Sequence, residues 1–70
     1  MADITTQTII RAVYDLHSNT GRWPTRDAIA NHLDCEIATV KLGLAELRRK
    51  RIMRDRRRQN ETVWMPWGEL

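Results

Sequence analysis

Eight basic side chains fall within eleven consecutive positions: Arg48, Arg49, Lys50, Arg51, Arg54, Arg56, Arg57 and Arg58, with Asp55 the one acid among them. Ten of the twelve basic residues in the chain are arginine. A guanidinium is planar, permanently charged and presents its N–H donors as a fixed fork, which suits phosphate oxygens and guanine edges. Three or four such charges are ordinarily a solvated face. Here residues 48–58 carry +7, whereas residues 1–47 hold four basic and six acidic groups and residues 59–70 only Glu61 and Glu69. So uneven a distribution points to a polyanionic partner, nucleic acid ahead of an anionic membrane surface.

Other chemistry is sparse. His32 and Cys35 stand three positions apart, one arm of a metal site for which no second arm exists. His17, at the edge of an apolar helix face, reads as a packing residue, and Cys35 as a small apolar group. A lone cysteine forms no internal disulfide and suits an intracellular compartment. There is no carboxylate pair, phosphate-cradling glycine loop or nucleophile motif, so neither catalysis nor a cofactor, metal or small-molecule effector is expected. No apolar run approaches the ~20 residues of a membrane span. The polar start Met1-Ala2-Asp3-Ile4-Thr5-Thr6 does not read as a secretory signal. A cytoplasmic, nucleoid-associated protein is expected.

The elements that must position the basic run are legible from period and punctuation. Seventy residues, 41% of them hydrophobic, make one small domain over residues 1–70 and exclude barrel or doubly wound enzymes. Thr6, Ile9, Ile10, Val13 and Leu16 share one side of a helix starting near Asp3 and ending at Gly21. Pro24 and Thr25 start a second helix running through Ile29 to Leu33, with Thr25 as its cap and Asp27 in its first turn. Asp34-Cys35-Glu36 is a short break. Ile37, Val40, Leu44 and Leu47 then form the core stripe of a third helix, which fades after about Arg49. Gly43 within it suggests close approach by another backbone. Ile52–Arg56 and Thr62–Met65 read as strands joined across Arg58-Gln59-Asn60-Glu61, with Asn60 tolerating positive φ and Pro66 ending the second strand. Trp23 and Trp64 are expected to cover the core, and Trp67 less so.

This order is mainly α with a small β-hairpin, and it resembles the winged helix-turn-helix family, most closely the LexA-type DNA-binding domain. The resemblance begins at Gly21-Arg22-Trp23-Pro24-Thr25-Arg26-Asp27-Ala28-Ile29-Ala30-Asn31-His32-Leu33. It continues through Thr39-Val40-Lys41-Leu42-Gly43-Leu44-Ala45-Glu46-Leu47, which is similar to the recognition helix of winged-helix repressors. It implies three helices, a two-stranded wing and a double-stranded DNA partner, in a small stand-alone regulator of phage or plasmid type, most simply a repressor. Two positions depart from the pattern. Asp34 and Arg51 stand where glycine is common, so both are expected in altered backbone conformations. The self-cleaving protease half of LexA-type repressors, which also dimerises them, has no counterpart, and self-cleavage does not transfer.

The implied base-reading residues are Ala38, Thr39, Lys41, Leu42 and Glu46. Leu42 and Ala38 suit thymine methyls, Lys41 or Arg49 a guanine, and Glu46 a cytosine amine. Leu42 equally suits a protein interface. The implied phosphate contacts are Arg22, Arg26, Arg48, Arg49, Lys50, Arg54, Arg56, Arg57 and Arg58. A weak homodimer, or a pair formed only on DNA, would use Trp67, Leu70, Met65 and Leu42. Two rival readings stand beside this one. The first is a protein-binding winged helix that occupies a host factor through Trp23, Trp64 and Trp67, and the second is an arginine-rich RNA binder.

Overall fold

The computed structural model describes residues 4–68, so the expected roles of Asp3 and Leu70 lie outside the described residues. The first helix, α1 (Thr6–Thr20), is capped by Thr5, whose Oγ1 accepts the Thr8 N–H at 3.2 Å. It stops at Gly21, which takes a left-handed φ of 75° and donates its N–H to the His17 carbonyl at 2.7 Å. A glycine is the residue that ends a helix this way without a Cβ penalty. Trp23 fastens the following turn. The His17 ring stacks on it at 3.7 Å between centroids, and Tyr14 meets it edge-on at 6.1 Å.

The second helix, α2 (Arg26–Leu33), begins as the sequence suggests, with Thr25 Oγ1 accepting the Ala28 N–H at 3.2 Å and Asp27 in the first turn. It ends at Asp34, whose φ is 53°. The Asp34 N–H donates to Asn31 O at 3.3 Å and the Cys35 N–H to Ala30 O at 3.1 Å. Those two crossed bonds are a Schellman ending. The third helix, α3 (Ile37–Arg49), repeats the device. Arg51 (φ 60°) donates to Arg48 O at 3.0 Å, and Ile52 donates to Leu47 O at 2.9 Å. Both positions that usually hold glycine are therefore left-handed with a side chain in place.

The hairpin is longer at its tip than expected. Strands β1 (Met53–Arg58) and β2 (Glu61–Pro66) pair antiparallel, from Met53 opposite Pro66 to Arg58 opposite Glu61. Gln59 and Asn60 alone form the turn, with φ of 50° and 68°. Positive φ at both central residues is the type I′ signature, whose twist lets the ladder run up to the turn. Ile52 lies before the strand rather than in it. The hairpin is also tied to the start of α2, which the sequence did not suggest. Thr25 bridges Val63, and the Trp64 N–H donates to the Pro24 carbonyl at 2.8 Å. At its base the Trp67 N–H donates to Ile52 O at 3.0 Å.

These elements, a helix-turn-helix followed by a wing-like hairpin, close on one core. Ile9, Ala12 and Val13 come from α1, Ile29 and Ala30 from α2, Val40, Leu44 and Leu47 from α3, and Met53 and Trp64 from the hairpin. Cys35 is half-buried beside it. Three expectations are corrected here. Ile37 is 43% exposed rather than part of the core stripe, because the first residue of α3 projects beyond the elements that cover Val40. Gly43 is approached by a side chain, not a backbone, since a Cβ there would collide with Cδ1 of Ile9. Met65 is 4% exposed, so it belongs to the interior and not to a dimer surface.

Candidate nucleic-acid interface

With Val40, Leu44 and Leu47 facing inward, the ~100° step of a helix turns Ala38, Leu42, Ala45 and Arg49 outward along α3. Leu42 is 75% exposed, well above any other large hydrophobic side chain among the described residues. This outward line is a ridge with a concavity on either side, and Ala45 and Arg49 border both.

On the side nearer the hairpin, Arg26, Lys41, Ala45, Arg48, Arg49 and Trp64 line an open hollow of about 450 Å³. The fold explains why they meet. Lys41, Ala45 and Arg48 occupy successive turns of α3. Arg26 follows the cap Thr25, and Thr25 and Pro24 are bonded to Val63 and Trp64 of β2. The packing of α2 on α3 sets Arg26 beside Lys41, and the hydrogen bond that holds the hairpin brings Trp64 to them. On the other side, Thr39, Leu42, Gly43 and Glu46 face the start of α1, Thr5 and Thr6, across a hollow of about 680 Å³.

Two carboxylates reach into the cationic set. Asp55 Oδ1 of β1 lies 3.3 Å from Arg48 Nε, and Glu46 Oε1 accepts from Arg49 Nη2 at 3.1 Å. Among the described residues, Arg26 and Lys41 have no such carboxylate partner. His32 faces Asp15 of α1 at 3.9 Å, and among the described residues no cluster of three or more potential metal ligands occurs. Along β1 the pleat puts Met53, Asp55 and Arg57 on one face and Arg54, Arg56 and Arg58 on the other. Because Asp55 reaches α3, Arg57 continues the side that borders the cationic hollow. Arg54 is half-buried, with its guanidinium 5.8 Å from the Trp67 ring centre.

The expected site residues are thus divided. Arg26, Lys41, Arg48 and Arg49 converge, Thr39 and Glu46 lie across the ridge, Leu42 stands on it, and Ala38 opens it at the start of α3. Arg56, Arg57 and Arg58 crowd the hairpin tip. Arg22, in the turn before α2 with its N–H bonded to Thr20 Oγ1, and Lys50, the C-cap of α3, are exposed but line neither hollow. Ala45 and Trp64 were not anticipated at the site. The signal for Ala45 was its spacing, four after Lys41 and three after Leu42. Trp64 read as core, and it is buried at 8% exposure with an edge left to line the hollow.

Among the described residues no helix is long and apolar enough to cross a membrane. Compared with protein-family models, curated proteins and solved structures, the chain has no significant match.

Proposed function

We propose that the protein is a winged helix-turn-helix regulator that binds double-stranded DNA, with α3 in the major groove and the hairpin against the flanking backbone. The observation that carries this reading is the cationic hollow: Arg26 and Lys41, from different helices and without a carboxylate partner among the described residues, open beside an exposed helix ridge and an arginine-tipped hairpin. A helix with its side chains is about as wide as the ~12 Å major groove, and it stays seated only if phosphate contacts hold it from the sides. Arg26 and Lys41 on one flank and the hairpin arginines beyond supply such contacts. A domain seated over a promoter excludes other proteins, so repression on the nucleoid is the regulatory outcome proposed.

Of the cations without a carboxylate partner among the described residues, the five that border the ridge or crowd the hairpin tip, Arg26, Lys41, Arg56, Arg57 and Arg58, set the expected salt dependence. Log affinity for a duplex should fall against log salt with a slope of about −4 to −5 per bound subunit. Fluorescence anisotropy of labelled duplex, repeated with an RNA hairpin, tests it. A flat salt response, or tighter binding of the RNA hairpin, overturns the reading.

A further inference from the structure

We infer that the outward ridge of α3 recognises thymine methyl groups, with Leu42 as the specificity-determining residue. The inference rests on the DNA reading above and adds which base edge the helix meets. At the centre of the ridge stands Leu42, 75% exposed, flanked one turn away by Ala38 and Ala45, whose small side chains let it protrude. None of the three offers a hydrogen bond. In the major groove guanine, adenine and cytosine present only donors and acceptors, whereas thymine adds a C5-methyl. An apolar ridge laid on polar base edges strips their water and returns nothing; laid on methyls it buries apolar surface.

The arginines nearest the ridge are held aside. Arg49 is bonded to Glu46 at 3.1 Å, and Arg48 is paired with Asp55 at 3.3 Å. Lys41 lies on the flank, within the cationic hollow. Charge also selects the occupant. A second copy docking ridge to ridge would bring Arg26, Lys41, Arg48 and Arg49 against their own equivalents, which is repulsive. A duplex meets the apolar line with methyls and the cations beside it with phosphates.

The test uses a duplex selected by the full chain from a random-sequence pool, resynthesised with deoxyuridine in place of every thymine. Uracil keeps the pairing and minor-groove edges and removes only the methyl, so backbone and hairpin contacts are held constant. The wild type should bind the uracil duplex about fourfold more weakly for each thymine contacted. Leu42→Ala, at an exposed helical position, should fold normally by circular dichroism. It should lose most of the wild type's preference for the thymine duplex, falling towards the wild-type affinity for uracil DNA, with an unchanged salt slope. Equal wild-type affinity for the two duplexes at an intact salt slope overturns the methyl inference and leaves the DNA reading standing. So does a Leu42→Ala protein that distinguishes them as strongly as the wild type. A free dimer that Leu42→Ala dissociates, together with indifference to the methyl, assigns the ridge to a second copy. Failure to bind any duplex overturns both readings.

Discussion

Asp34 and Arg51 hold left-handed backbone, φ 53° and 60°, where a Cβ crowds the neighbouring carbonyl at a cost of roughly 1–2 kcal/mol. Each is retained because two crossed hydrogen bonds close the helix behind it. Glycine relieves the strain but gains freedom in the unfolded chain, so the balance is smaller than the strain. Asp34→Gly should stabilise the fold by about 0.5–1 kcal/mol, read as a higher urea midpoint at unchanged slope. Gly43 presents the opposite problem. Alanine is favoured in a helix by about 1 kcal/mol, yet its Cβ would strike Cδ1 of Ile9, a buried side chain that must turn aside to admit it. Gly43→Ala should therefore destabilise the wild type by about 1 kcal/mol, overpacking exceeding propensity. In an Ile9→Val background, where Cδ1 is gone, the same change should stabilise. Chemical denaturation of the four proteins gives the coupling; additivity would show that Ile9 is not the obstacle.

At the level of elements, the ion pair that links α3 to β1 is Asp55 with Arg48, exposed enough to contribute less than about 1 kcal/mol. Asp55→Asn removes one negative charge from the hairpin and frees Arg48. Stability should change by under about 1 kcal/mol, while duplex affinity rises and the salt slope steepens by about one unit in anisotropy titrations. A lower affinity would mean that Asp55 positions Arg48 for the duplex. Much of this layout was readable in advance. Gly21, Thr25 and the break at Asp34 mark real helix ends because each is a local hydrogen-bonding device. The periodicity of α3 correctly turned Val40, Leu44 and Leu47 inward. It could not say where the covering elements stop, which is why Ile37 was misplaced. The convergence of Arg26, Lys41 and Trp64 was hidden for a similar reason, since it depends on the packing of α2 on α3 and on the long-range bond from Trp64 N–H to Pro24 O. Ala45 was passed over because its role is to be small.

Taken whole, the described chain measures 34 × 25 × 21 Å, and its longest dimension is about one turn of B-form DNA. On the proposed DNA reading, one copy would span about one turn of duplex, half of a site occupied by a pair. The expected dimer surface loses Met65, which is interior; Trp67 stays 43% exposed with Arg54 beside its ring, and Leu42 lies on the proposed reading ridge. Sedimentation at micromolar concentration should give a monomer, and titration of a full-length site should give two copies bound about one turn apart. A single copy saturating that site would contradict the pairing. The two bonds anchoring the hairpin have a mechanical consequence. Its root is clamped by Ile52, Pro24 and Thr25, but beyond Val63 only two residue pairs and the Gln59-Asn60 turn project, all exposed. That makes a cantilever roughly 10 Å long, stiff where it joins the core and compliant at the tip. Amide exchange should accelerate from Trp64 towards Asn60. On the proposed DNA reading, a compliant tip would let one rigid body follow a groove whose width changes along the duplex, bending its arginines to the backbone while the helix beside it stays fixed.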